Sequence, residues 1–283
     1  MAVVAAQAQN ESGWRAALYL GFERRGSRSV CHERRHFGPL RVQRPFYPEG
    51  DEVCHVYVLH PPGGVVGGDE LEIAVAVNGA AAALITTPAA GKFYRSDGRL
   101  ARQRQNLRVA AAASLEWLPQ ETIVFDGANA VMTTRVDLEG DARFMGWEIL
   151  CLGRPASGES FTHGTVSQAW EIRRDGMPLL IERAIYDKDG AALDAAWGLA
   201  GQPVCGSLVC VGDYAESIDE ISAVTAALNL EGLFSVTQLA DVLICRYLGP
   251  HSDEAQRCFA HSWEILRPLS LKRAACAPRI WAT

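Results

Sequence analysis

The sequence contains no Cys-x-x-Cys pair, no Gly-x-Ser-x-Gly elbow and no His-Glu-x-x-His helix, the HERRH of residues 32–36 having that spacing only in an irregular, Arg-rich segment. The first absence removes the usual ligand spacing of a structural zinc site. The other two remove the hydrolase nucleophile turn and the zinc-protease helix. No stretch approaches the roughly 18 uncharged apolar residues that a membrane-crossing helix needs. The opening MAVVAAQAQNESG has no basic region, and its apolar run is too short for a secretory leader. No linker or low-complexity run is present. Positive charge is also in deficit. A net charge of -6 argues against nonspecific binding to nucleic acid or to an acidic membrane.

What is present is an ordinary globular composition, 48% hydrophobic and 21% charged over 283 residues, enough for one large domain or two small ones. The eight cysteines are scattered through apolar runs such as ILCLG, SLVCVG and VLICRY. They read as small reduced core residues of a cytoplasmic protein. The closest two, Cys205 and Cys210, fall in one expected strand.

Residues 1–13 read as a flexible N-terminal tail and 14–283 as a single domain. To about residue 210 the signal is short alternating segments punctuated by Gly, Pro, Asp and Asn. VCHVYVL (53–59), LEIAVAV (71–77), NLRVAAAASLEWL (106–118), TTRVDL (133–138) and RFMGWEILCL (143–152) each read as a strand. Residues 168–186 read as a hairpin, with Asp175-Gly176 supplying the positive φ of a tight turn. Alanine-rich strands such as AVAVNGAAAALITT let layers approach closely, so stacked or coiled strands around a narrow interior are expected. Helical spacing occurs in 216–232 (Ile218, Ile221, Val224, Leu228) and in 252–267, where Ser252 is the expected cap and Pro268 the expected stop. The fold class is therefore mainly β and solenoid-like, with about two C-terminal helices.

The loop HPPGGVVGGDE (60–70) fails as a phosphate cradle. Asp69-Glu70 places two acids where a P-loop has its lysine, and a strand follows where a dinucleotide fingerprint needs a helix. GRPASGES (153–160) has P-loop spacing, but Glu159 stands at the lysine position. CHERRH offers Cys31, His32 and His36 to a borderline metal such as nickel or zinc; its arginines and irregular pattern disfavour a cation. The basic run from Arg95 to Arg108 reads as a solvated or protein-facing surface. Strand carboxylates remain: Asp69, Glu116, Glu148, Glu171 and Glu182. Such an acid ordinarily faces water. Glu148, embedded in GWEILCLG, is instead expected to pair with a cation such as Arg154 or to line a polar interior. Paired acids also leave open a carboxylate-dependent glycoside hydrolase or a carbohydrate-binding β protein. The tryptophans, however, sit singly beside apolar neighbours and read as core.

Taken together, HPPGGVVGGD (60–69), TTPAAGKFYRS (86–96), EWLPQETIVFDGA (116–128), GWEILCLGRPASGE (146–159), DGMPLLIER (175–183) and APRIW (277–281) closely resemble the UreD (UreH) family of urease accessory proteins. The likeness runs in order from about Trp14 onward, through His60, Gly63, Gly64, Gly67, Gly68, Lys92, Tyr94, Arg154 and Glu159; CHERRH lies outside it. The resemblance implies a mainly β, non-enzymatic maturation factor. It implies partnership with UreF and the GTPase UreG on the urease apoprotein, no tightly bound cofactor, and Ni²⁺ as the transported ion. It further implies an internal polar passage, to which Asp69, Glu148 and Glu182 are assigned. The C-terminal helices and tail (Trp263, Pro278, Arg279, Trp281) become candidates for the UreF contact. The alanine-rich apolar strands lead to the expectation of a chain poorly soluble without its partner.

Overall fold

The computed structural model describes residues 13–282, so the expected tail lies outside the described residues except for Gly13. The described chain opens with a hairpin, β1 (Arg15–Arg25) and β2 (Arg28–Phe37), and a two-residue strand, β3 (Arg41–Val42). It continues through β4 (Val53–Leu59), β5 (Glu70–Val77), β6 (Ala82–Thr86), β7 (Gly91–Phe93) and β8 (Ala101–Val109). Next come β9 (Ser114–Leu118), β10 (Thr122–Val124), β11 (Asn129–Leu138), β12 (Arg143–Leu152), β13 (Thr165–Arg174), β14 (Met177–Asp187) and β15 (Val204–Val211). Helix α1 (Ile218–Ala226), the hairpin β16 (Leu233–Leu239) and β17 (Val242–Gly249), and helix α2 (Ser252–Leu271) follow.

Two sheets face one another. One has the order β14-β13-β11-β8-β5-β1-β2, the other β16-β17-β15-β12-β9-β6-β4-β3. Between β4 and β13 the chain alternates from sheet to sheet, and successive passes lie parallel: β5, β8, β11 and β13 in one sheet, β4, β6, β9 and β12 in the other. This is the stacked, solenoid-like mainly-β architecture expected from the sequence. A third, narrow side is formed where β7 pairs with β10, β10 with β12, and Val65 bridges to Phe93.

The same corner recurs at each crossing. Ala81 donates to Asn78, Ala113 to Ala110 and Ala142 to Glu139, at 3.1, 3.1 and 2.9 Å. The three alanines are buried and stack, since Ser114 donates to the Ala81 carbonyl and Arg143 to that of Ala113. A larger side chain would push successive coils apart, which gives the alanine richness its physical reason. One of these corners splits NLRVAAAASLEWL. Instead of a single strand it holds the end of β8, a turn with Ala112 at φ +63, and β9. Four consecutive alanines keep the alternation formally intact and so conceal the turn.

The hairpin turn falls at Asp175-Gly176, with φ of 49 and 80, and β13 pairs with β14 around it. Cys31, His32 and His36 lie not in an irregular segment but on β2, with a bulge opposite Gly21 and Phe22. In the loop HPPGGVVGGDE, Gly68 has φ +93, and a Cβ on Gly64 would stand 2.2 Å from the Tyr94 ring. The glycines there serve turning and close packing.

Both helices cover the outer face of the second sheet, burying Cys258, Phe259, Trp263 and Leu266 against Trp147, Cys245 and Tyr247. Their limits differ from the sequence reading. α1 ends at Ala226, because Leu228 and Leu230 leave the helical path to pack on the sheet. A further hairpin, β16–β17, follows it; the period-two alternation of LFSVTQL is its signal. α2 has His251, not Ser252, at its capping position, and it continues through Pro268 to Leu271. Burial of Ser270 and Leu271, with Ser270 Oγ donating to Leu266 at 2.8 Å, carries the helix past the proline. Lys272 then ends it in the left-handed region.

Candidate functional site

The first sheet turns an uncommonly polar rung inward. Ile73, Gln105, Thr134, Trp170 and Glu182 lie side by side on consecutive strands, with Gln103, Met132 and Gln168 one step along. Facing them from the second sheet is the rung Glu148, Ser207, Arg246 and Ser235. Glu148 reaches across the gap. Gln168 Nε2 donates to its Oε2 at 2.6 Å, and Thr134 Oγ1 contacts its Oε1. Thr134 Oγ1 also lies 3.0 Å from Gln105 Oε1. A hydroxyl has one proton and cannot donate to both oxygens. A protonated Glu148 resolves the conflict by donating to Thr134, which donates to Gln105. Burial agrees, pushing the Glu148 carboxyl above its ordinary range against the pull of its hydrogen bonds.

Two cavities meet at this carboxylate. One, about 280 Å³, runs from His60, Lys92 and Gln120 past Gln103 and Gln105 to Glu148 and Gln168. The other, about 770 Å³, runs from Glu148 and Gln168 past Ser207 to Glu182, Arg246 and Trp197. Glu148 is not fully buried, and the surface it keeps faces these cavities. Glu182 is ion-paired with Arg246, whose Nη1 also donates to Ser207 Oγ at 2.9 Å. Burial depresses the His60 imidazole and raises the Cys205 thiol in the second cavity to about 11, so both are uncharged at neutral pH.

The other residues singled out from sequence lie elsewhere. Asp69 lines neither cavity. Its carboxylate accepts from Trp14 N at 2.7 Å and Val66 N at 3.0 Å, fastening the start of β1 to the glycine loop. Arg154 pairs with Glu159, not Glu148, and Glu159 Oε1 also accepts from Asp126 N at 3.1 Å. The loop that resembles a P-loop is thus closed on itself by an acid. Purified protein is expected to release no phosphate from GTP or ATP; turnover that follows this chain through purification would contradict that reading.

Trp263 is fully buried and donates to Glu116 at 2.6 Å, so it offers no surface to a partner. Pro278 is buried, Trp281 packs on Trp147 and Trp263, and Arg279 is exposed. Three exposed large apolar side chains, Ile181, Trp197 and Leu233, line the second cavity instead, and Ile185 lies further along the strand of Ile181. Cys31 is buried with its thiol raised to about 12, while His32 is exposed and His36 contacts Arg41. No group of three or more His, Cys, Asp and Glu among the described residues could cage a metal.

A second cluster was not apparent from sequence. Arg267 of α2, completely buried, donates through Nε and Nη2 to Glu116 at 3.0 Å each and through Nη1 and Nη2 to Glu49 at 2.9 and 2.7 Å. His55 Nε2 lies 2.6 Å from Glu49. Glu116 therefore faces α2 rather than water. The missing signal was α2 itself, since nothing local marks which strand face a helix will cover.

The tryptophans settle the carbohydrate alternative against an aromatic platform. Trp117, Trp147, Trp170 and Trp263 are buried, and only Trp14 and Trp197 are broadly exposed. No helix among the described residues is long and apolar enough to cross a membrane.

Comparison with known proteins follows the same line. Over 282 residues the chain is 48% identical to the urease accessory protein UreD of Dechloromonas aromatica, covering 98% of this chain and 97% of that protein. It is 46% identical to UreD of an Azoarcus species, covering 96% and 95%, and 46% identical to UreD 2 of Brucella anthropi, covering 96% and 99%. The model of the UreD urease accessory protein family matches residues 15–282, the span of the coiled sheets and the helices that cover them. The chain belongs to that family.

Proposed function

We propose that the protein serves urease maturation by guiding Ni²⁺ between its two sheets, past Glu148, while assembled with UreF-like and UreG-like partners on the urease apoprotein. It performs no catalysis of its own. One observation carries the reading: Glu148 and Gln168 line both cavities. Among apolar walls, Gln103, Gln105, Glu148, Gln168 and Ser207 offer Ni²⁺ side-chain oxygens and amides, which bind a hydrated divalent ion weakly and exchange it. The one thiol there, Cys205, is held protonated and does not trap the ion. Ni²⁺ and the Glu148 proton compete for the same oxygens. The folded carboxyl has a raised pKa, so it holds its proton below that value, and transfer quickens as pH rises through it.

Gln168→Trp tests the path by filling the junction without changing charge. Activation of urease apoprotein by the reconstituted complex under limiting nickel is expected to slow severalfold, with complex assembly intact. An unchanged rate would reject passage between the cavities.

A further inference from the structure

The second cavity opens where the two sheets end. β14 is the last strand of the first sheet and β16 the last of the second, and the exposed Trp197 and Leu233 line the cavity there. Four charged residues line it as well: Glu148, Glu182, Arg183 and Arg246. Glu148 lies at the inner end, where the two cavities meet. Arg183 is exposed on the edge strand β14. The remaining two face each other across the gap between the sheets.

Arg246 of β17 sends both terminal nitrogens to the Glu182 carboxylate of β14, Nη1 at 3.3 Å from Oε2 and Nη2 against Oε1. The pair thus ties the second sheet to the first at their open edge. Register places it between that edge and Glu148. On the second sheet Glu148, Ser207 and Arg246 succeed one another across β12, β15 and β17. On the first, Trp170 lies beside Glu182, one strand further inside. The guanidinium also has somewhere else to go. Nη1 already donates to Ser207 Oγ at 2.9 Å, and Ser235 of β16 lies on its other side. The Arg246 and Glu182 side chains are 46% and 32% exposed. An ion pair this open to water contributes little to stability, so the fold does not depend on its staying closed.

We propose that Arg246 is the gate of the passage, a guanidinium that occupies Glu182 while the path is empty and yields it to a divalent cation. The proposal rests on the nickel-guiding reading above and adds the residue that controls entry. To reach Glu182, an ion must replace a singly charged guanidinium held by a bidentate contact. A monovalent ion brings the carboxylate no more charge than Arg246 does, and it lacks the fork of donors. A divalent ion doubles both the attraction to the carboxylate and the repulsion of the guanidinium. Arg246 then moves onto Ser207 and Ser235, and the way to Glu148 lies open. Once the ion has gone, the pair re-forms.

The test follows Ni²⁺ alone, through its quenching of tryptophan fluorescence in the complex of this chain with its UreF-like partner. Trp197 lines the opening and Trp170 lies inside the gate. Trp197→Phe therefore serves as the parent, and the signal lost on adding Trp170→Phe is the inner one. In the parent, Arg246→Gln is expected to lower the Ni²⁺ concentration that half-quenches Trp170 severalfold, because the ion no longer competes with a bound cation. Arg246→Lys keeps the charge but loses the fork, and its value should fall between the two. A purely structural ion pair would leave all three values alike. Should Arg246→Gln fail to fold, the lysine variant alone decides. Equal half-quenching concentrations in parent and variants, with Trp170 quenched, would overturn the gate and leave the passage standing. A raised Ni²⁺ requirement in Arg246→Gln would also defeat the gate, since Arg246 would then be aiding the ion. No quenching of Trp170 in any of them would overturn the passage and the gate together.

Discussion

Glu148→Lys is expected to lower nickel-dependent urease activation by on the order of tenfold or more, the size expected when a fixed like charge stands in a poorly solvated path. The lysine ammonium would occupy the junction of both cavities and repel a divalent cation there. It would also lose the two partners that Glu148 now engages, Thr134 and Gln168. Glu148→Gln separates the two consequences. An amide can donate to Thr134 and accept from Gln168, so the packing survives while the exchangeable charge is gone. Its activation should fall less than that of the lysine variant and lose its rise with pH. Glu182→Lys adds a second cation beside Arg246 and should act in the same direction at the outer mouth. The measurement is urease activity after reconstitution, alongside co-purification of the complex and a thermal melt. Full activation by the Glu148→Lys/Glu182→Lys double variant would remove both acids from the path.

The largest effect on stability is expected at Arg267. Arg267→Ala strips a buried cation from two carboxylates, Glu49 and Glu116, and leaves their charges facing each other in the core. Breaking a buried pair in this way costs about 3–5 kcal/mol, a large share of a typical domain's stability. The same cluster sets an acid limit. Burial alone would raise Glu49, but its bonds from His55 and Arg267 hold it at about 2 against an ordinary 4.5. A carboxylate depressed on folding contributes stability above its unfolded pKa and loses it as pH falls through the folded value. Stability should therefore decline between about pH 4.5 and pH 2, and Glu49→Gln should flatten that decline. Denaturant titration across this range measures both. An Arg267→Ala variant within about 1 kcal/mol of wild type would show the cluster to be dispensable.

Strands, coils and the Asp175-Gly176 hairpin were legible because each writes a local pattern: alternation, punctuation, or a dipeptide with a fixed φ. Glu148 was legible too, since a carboxylate among large apolar neighbours has few explanations. Features that depend on what arrives from a distant part of the chain were not. Glu116 alternates like any water-facing strand acid, and only α2, more than a hundred residues later, decides otherwise. Trp263 and Pro268 mislead for the same reason. An aromatic near the C-terminus and a proline after a helical run carry ordinary meanings until the sheet beneath claims them. Asp69 sits in a loop whose partner, Trp14, lies 55 positions earlier.

The Arg267 clamp also has a meaning in time. A growing chain emerges from β1 onward, and each coil can settle on the one already made. Yet Glu49 waits for a partner made 218 positions later. Until α2 emerges, the buried acids of the early coils have no counter-charge and the second sheet lies bare. A chain synthesised only as far as β17 is thus held short of its stable state. The arrival of α2 then acts as the latch.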